Sequence, residues 1–283
     1  MEATLVEGYI FKDVIKSIKE LVTDVNLKIT PKGIEMQCMD SSRVALVQFF
    51  LKAEGFDHFK AKEDFISIGL NIPSLVKILE CAKNDNALSI RLKDKNLIEF
   101  IFESPKQNQI SNFTLKLMEI QCDELEIPDV QYDAIVKMSS KEFQGLIYNF
   151  LTIGDTVNMT IKDENLQFSV NGDSSSCVIL CKSDGKNIFV TRNIEKEISL
   201  TFSLKYLNLF TKASGLSDVV ILHISEDQPL RVQYNISDSK NKSFGSVNFY
   251  LAPKLEDIAN DIFIETDKEP YDEHKEKKEE RKE

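Results

Sequence analysis

Laid over itself at an offset of 132 residues, the chain repeats its own pattern of apolar positions. Such repetition sets the structural unit before any motif does. Phe11, Val14, Ile15 and Ile18 fall on Phe143, Leu146, Ile147 and Phe150. Both sets have the i, i+3, i+4, i+7 spacing of an amphipathic helix. Val25, Leu27 and Ile29 fall on Val157, Met159 and Ile161, and Ile34 and Met36 on Leu166 and Phe168, in the alternation of half-buried strands. Between these strands Gly33 falls on Asn165. Both residue types tolerate a positive φ, so a repeated hairpin turn is expected.

The pattern continues. Ile66, Ile68 and Leu70 meet Ile198, Leu200 and Phe202, and Leu75 and Ile78 meet Leu207 and Phe210, a strand feeding a second helix in each copy. Leu88, Ile90 and Leu92 meet Val220, Leu222 and Ile224; Ile98, Phe100 and Phe102 meet Leu230, Val232 and Tyr234; Leu115 and Leu117 meet Val247 and Phe249. From Phe11 to Leu117 the register is read without insertion. The predicted class is α+β: two tandem modules, 1–117 and 134–255, each a mostly antiparallel sheet with two helices on one face. An acidic surface linker, 118–133, joins them, and a charged tail, 256–283, follows with too little apolar content to fold alone.

The chemistry of catalysis is missing. His58, His223 and His274 are read in a loop, a strand and the tail, without metal-protease spacing, and no Gly-rich phosphate loop is present. Gly154-Asp155, Gly172-Asp173 and Asp184-Gly185 suit turns. Cys38, Cys81, Cys122, Cys177 and Cys181 are odd in number, lie mostly in apolar segments and lack zinc spacing, so free thiols in a reducing compartment are expected. No catalytic residue, cofactor or metal is expected. No apolar run reaches the roughly 18 residues of a membrane span, and the first residues lack a secretory signal's basic and apolar regions, which reads as an intracellular protein with no membrane partner.

Net charge −11 argues against nucleic acid until the charge is located. Residues 254–283 hold 7 basic and 12 acidic side chains, so 5 of the 11 negative charges belong to that stretch. Lysines gather on the polar faces of the helices. Lys12, Lys16 and Lys19 lie at i, i+4, i+7 opposite the apolar stripe; Lys205 and Lys212 flank Asn208 on the last helix; Lys77 points away from the apolar positions of the second; and Lys141 stands beside Gln144 and Tyr148 on the third. Basic helix faces on an acidic chain suit phosphate on one side and solvent on the other.

Several segments carry a family resemblance. They are Met39-Asp40-Ser41-Ser42-Arg43-Val44-Ala45-Leu46-Val47, Glu54-Gly55-Phe56-Asp57, Lys77-Ile78-Leu79-Glu80-Cys81-Ala82, Leu115-Lys116-Leu117-Met118, Val136-Lys137-Met138, the run from Lys205 to Ala213, and Tyr250-Leu251-Ala252-Pro253-Lys254. In this order, across residues 1 to about 255, the chain resembles the proliferating cell nuclear antigen family of eukaryotic sliding clamps. The resemblance implies a DNA-clamp module written twice and a nuclear, head-to-tail homotrimeric ring with helices inside and sheets outside. It implies a processivity factor in DNA replication and repair, with no enzymatic activity. The partners implied are double-stranded DNA without sequence preference, DNA polymerases, flap endonuclease, DNA ligase and an ATP-dependent clamp loader.

By family position, the subunit interface falls on strands containing Gln109, Ile110, Phe113 and Leu115, and Cys177 and Ile179. The lysine faces become the DNA lining, with Glu80 where the family often has a basic residue. A pocket for client peptides of the form Gln-x-x-aliphatic-x-x-aromatic-aromatic is implied at Met39, Arg43, Val44, Leu46, Leu125, Ile127, Pro128, Tyr132, Pro229, Tyr250, Ala252 and Pro253, with Arg43 in place of the family's usual histidine. The competing readings are a subunit of the related heterotrimeric checkpoint clamp and a hydrolase using surface carboxylates.

Overall fold

The structure, a computed structural model, describes residues 1–61, 63–104, 106–121, 125–127, 130–193, 196–239 and 242–254. Cys122, Pro128, His274 and the tail 256–283 lie outside the described residues. The first module runs β1 (Glu2–Leu5), α1 (Tyr9–Ile18), β2 (Asp24–Thr30), β3 (Gly33–Met39), β4 (Ala45–Lys52), β5 (His58–Lys60), β6 (Ile66–Asn71), α2 (Ile72–Glu80), β7 (Ala87–Leu92), β8 (Leu97–Ser104) and β9 (Gln109–Lys116). The second repeats that order as β10 (Ala134–Ser139), α3 (Ser140–Phe150), β11 (Thr156–Lys162), β12 (Asn165–Asn171), β13 (Ser176–Lys182), β14 (Phe189–Arg192), β15 (Ile198–Ser203), α4 (Leu204–Phe210), β16 (Val219–Ile224), β17 (Leu230–Ser237) and β18 (Ser243–Leu251).

The helices form where the apolar period calls for them. On α1, Ile10, Phe11, Val14, Ile15 and Ile18 are all buried. The Asn71 side chain caps α2 by accepting from Ser74 N at 3.0 Å, and a proline in the first turn suits a helix start. Ser139 caps α3 through Glu142 N at 3.4 Å. α4 is short and continues as a 3-10 turn, Thr211–Leu216, so Lys212 stands on that turn rather than on the helix. Lys19 likewise follows α1 as its C-cap. α1 packs against both α2 and the 3-10 turn, and α3 against α4 and the same turn, so the four helices form one layer.

The strands make three sheets, not one per module: β5-β1-β7-β8-β9, β14-β10-β16-β17-β18-β4-β3-β2-β6, and β13-β12-β11-β15. Every strand pairing in them is antiparallel. The nine-stranded sheet crosses the module boundary where β18 pairs with β4, from Gly245↔Leu51 to Leu251↔Ala45. Gly245 permits the approach, because a Cβ there would sit 1.9 Å from Phe50 O. Glu7 also bridges the modules, accepting from Ser239 N at 3.1 Å, from the Ser239 hydroxyl and from Tyr9 Oη at 3.1 Å.

Three details of the repeat differ from the sequence reading. Met39↔Leu46 closes the β3–β4 hairpin and Asn171↔Ser176 its counterpart, so the second loop is two residues shorter. Phe113 faces Phe100 as Phe249 faces Val232, which makes the second copy's β17–β18 connection four residues longer and sets Phe249 opposite Phe113, not Leu117. Both slips are even-numbered, and a period-two pattern is unchanged by an even slip. The two-residue hairpin is repeated in place, Thr30↔Gly33 and Lys162↔Asn165, but not in conformation. Pro31 holds the first hairpin at negative φ, with Gly33 at φ 149°, whereas Asp163 and Glu164, not Asn165, take positive φ in the second. His58 belongs to β5, not to a loop.

Candidate binding cleft and helix face

The outer face of the nine-stranded sheet and the linker enclose a cleft of about 280 Å³. Met39, Arg43, Val44, Leu46, Leu125, Glu126, Ile127, Val130, Tyr132, Gln228, Pro229, Tyr250 and Ala252 line it. Ten of the twelve residues assigned to a peptide pocket come together here. Pro253 stands outside the lining, and Pro128 is not described. Glu126, Val130 and Gln228 were not foreseen; Glu126 and Gln228 adjoin assigned residues in sequence, Val130 lies two positions from Pro128 and Tyr132, and nothing in their type marks them.

The floor is made of Leu46, Tyr132 and Tyr250, all buried, whereas Met39, Val44 and Leu125 are 37%, 37% and 45% exposed. A cleft with an apolar floor and accessible apolar walls suits aromatic and aliphatic anchors. Burial pushes the Tyr132 phenol above its ordinary value, with Tyr250 adding to the effect. The Tyr132 ring lies 5.2 Å from the imidazole of His223. Burial, with Arg231 and Lys137 nearby, lowers that imidazole to about 4 against the pull of its 3.0 Å hydrogen bond with Gln233.

The linker starts on a backbone bridge, Met118 N donating to Gly69 O at 3.0 Å, and is held beyond it by side chains. Asn26 Nδ2 donates to Ile120 O at 2.9 Å and Asn193 Nδ2 to Tyr132 O at 2.6 Å. Gln37 meets both backbone groups of Leu125. The loop between β3 and β4 is ordered by Asp40, whose Oδ1 accepts from Val44 N and Ala45 N at 2.8 Å each and whose Oδ2 accepts from Ser42 N at 3.0 Å. Tyr206 Oη on α4 also donates to Oδ2, at 2.8 Å. Burial alone would raise this carboxyl, but the Ala45 amide, the Tyr206 hydroxyl and the Ser42 and Val44 amides outweigh it and hold it below the usual range.

The helix layer places Lys19, Lys77, Lys141, Lys205 and Lys212 in solvent, while Lys12 and Lys16 are half-buried and engaged. Lys12 Nζ donates to Ala82 O at 2.7 Å, tying α1 to the end of α2. At the equivalent position of the second module, Gln144 Nε2 donates to Thr211 O at 3.3 Å and ties α3 to the end of α4. Lys16 lies 3.6 Å from Glu80 of α2. Where the repeat puts Tyr148 opposite Lys16, the ring is 68% exposed.

At the sheet ends, β9 closes the five-stranded sheet and β13 the four-stranded sheet, each with one edge that no described strand covers. Phe113, Leu115, Cys177 and Ile179 are half-buried against their own modules, Phe113 lying 5.7 Å from Phe102. Gln109 is exposed, and Ile110, Val178 and Leu180 are 71%, 63% and 50% exposed on the opposite faces. Among the described residues no cluster of His, Cys, Asp or Glu fits a metal ion, and no helix is long and apolar enough to cross a membrane.

Two family models match the chain. Residues 1–126 match the one described as proliferating cell nuclear antigen, N-terminal domain, and residues 126–254 the one described as proliferating cell nuclear antigen, C-terminal domain.

Proposed function

The chain belongs to the proliferating cell nuclear antigen family of DNA sliding clamps, and from that premise we propose that three copies close head to tail into a ring around duplex DNA. The ring serves in the nucleus as a processivity factor. It tethers DNA polymerases, flap endonuclease and DNA ligase through the cleft under the linker, and a separate ATP-dependent loader opens it.

The observation that carries the ring is the joint between β18 and β4. In the repeat β9 is the counterpart of β18, and β13 of β4, yet β9 and β13 each keep an open edge. An edge strand left open invites pairing, and a heterologous contact that closes makes a ring. The internal joint also supplies a register. Phe249↔Val47 and Asn248↔Gln48 within the chain translate to Phe113↔Cys177 and Asn112↔Val178 between copies. The ring turns the four-helix layer toward the DNA, where Lys12, Lys16, Lys19, Lys77, Lys141, Lys205 and Lys212 meet phosphates without reading bases.

The test is a cross-link. Directly opposed residues of an antiparallel pair are close enough for a disulfide. Asn112→Cys combined with Val178→Cys should give, on mild oxidation, a ladder ending at the trimer. Asn112→Cys with Leu180→Cys, displaced by two residues, should not. Equal linking of both pairs, or none, rejects the register. On primed circular DNA with a loader, replacing Lys12, Lys16 and Lys212 together by alanine should shorten polymerase products; unchanged lengths reject the lining.

A further inference from the structure

One exposed rim of the cleft is a loop with a residue in left-handed conformation, and one of the groups that steady it comes from the other module. Arg43 and Val44 are lining residues contributed by the five-residue connection between β3 and β4. Arg43 has φ 56°, a left-handed conformation that a non-glycine side chain holds only when its surroundings over-determine it. Asp40 provides part of that constraint. It is 7% exposed, and its carboxylate gathers the amides of Ser42, Val44 and Ala45. A fourth donor, Tyr206 Oη at 2.8 Å, arrives from α4, 166 residues away in sequence.

Tyr206 lines no part of the cleft. Its neighbour Lys205 is solvent-exposed on the helix layer, with Nζ 5.9 Å from the centre of the Tyr206 ring. One short stretch of α4 therefore reaches the helix face through Lys205 and the cleft rim through Tyr206. A buried carboxylate that loses one of its charge-assisted donors must find water or shift, and this one can shift only by moving the loop it organises.

We propose that Tyr206 is a positioning residue for the cleft: its hydroxyl, through Asp40, sets the Asp40–Ala45 turn that presents Arg43 and Val44 to a bound peptide. This rests on the reading of the cleft as a peptide site. The second module thus helps to fix the shape of a rim built by the first, and Tyr206→Phe removes one oxygen and keeps the ring packing, taking away the hydroxyl's contacts with Asp40 and with the Ser42 side chain of the same turn.

The probe is a synthetic peptide of the Gln-x-x-aliphatic-x-x-aromatic-aromatic form, titrated calorimetrically into the full-length protein. A turn that this hydrogen bond to a charged group no longer holds must be reordered on binding, so affinity should be roughly fivefold or more weaker for Tyr206→Phe, with a small fall in melting temperature and the assembly mass kept. In the free protein, hydrogen exchange should quicken at the amides of Ser42, Val44 and Ala45 and not across β16 or β17. A change in packing alone would not confine itself to those three amides. In an Asp40→Asn background, Tyr206→Phe should add little. Unchanged affinity and exchange in Tyr206→Phe, while Leu125→Ala still weakens the peptide, overturns the proposal and leaves the cleft reading intact. Unchanged affinity in Leu125→Ala as well overturns both.

Discussion

The carboxamide of Gln37 and the backbone of Leu125 pair edge to edge: Gln37 Oε1 accepts from Leu125 N at 2.9 Å, and Gln37 Nε2 donates to Leu125 O at 2.8 Å. A side chain on β3 thereby acts as the strand partner the linker lacks, fixing one wall of the cleft. Gln37→Ala frees Leu125 and Ile127 together. With about 1 kcal/mol for each of the two hydrogen bonds, peptide affinity should fall by up to roughly thirtyfold, read by fluorescence anisotropy, with assembly unchanged.

Lys16 has an acidic neighbour where DNA phosphate is proposed to lie. Glu80, 3.6 Å away, neutralises it from α2. A half-exposed pair 3.6 Å apart adds little to stability, so Glu80→Gln should leave the melting temperature nearly in place while releasing Lys16. DNA affinity should rise, and the slope of log K against log salt should steepen by about one for each of the ring's Lys16 side chains that reaches a phosphate. An unchanged slope would mean that Lys16 makes no phosphate contact.

His223 gives the fold an acid sensitivity. Burial lowers its imidazole from an ordinary 6.5 to about 4, so the unfolded chain takes up this proton before the folded one does. Its contribution to stability is complete above the unfolded value and drains away as pH falls from about 6.5 to about 4. Denaturant midpoints measured across that range should decline more steeply for the parent than for His223→Gln. Parallel curves would contradict the assignment.

Gly245 guards the joint between the modules. A Cβ at this position would sit 1.9 Å from Phe50 O, a backbone atom that cannot step aside alone. Gly245→Ala should pry β18 from β4 and cost on the order of 1–3 kcal/mol, seen as a lower transition temperature by calorimetry. Gly145→Ala, where a Cβ meets nothing within 4 Å, is the matched control and should be neutral or slightly stabilising within the helix.

The duplicated α+β plan was legible because its evidence is periodic: Phe11 to Ile18 and Phe143 to Phe150 carry the same helical stripe, and the strands alternate faithfully. Alternation has a blind spot, however. It detects a slip of one residue and misses slips of two or four, which is why β4 against β13 and β9 against β18 were read out of step. The lysines were visible on their helices, but not the carbonyl of Ala82 or the carboxylate of Glu80 that engage two of them. Most of the cleft came from family resemblance, because no spacing announces residues drawn from β3, the linker and β18. Asp40 and Tyr206 were quoted in separate motifs, and nothing local says that one hydrogen-bonds the other.

The β18–β4 contact also bears on where a closed assembly would give way. In the proposed ring, six similar joints alternate between those spanned by a polypeptide linker and those between separate molecules. A tether keeps the partners of a broken joint at high effective concentration, so a tethered joint that parts re-forms at once, whereas an untethered one has only its own contacts and the stiffness of the remaining circle. Two chemically similar seams therefore differ in kinetics by covalent accident. Any entry gate for DNA falls at β9 and β13, and the linker, besides walling the cleft, decides which seams are hinges and which are doors.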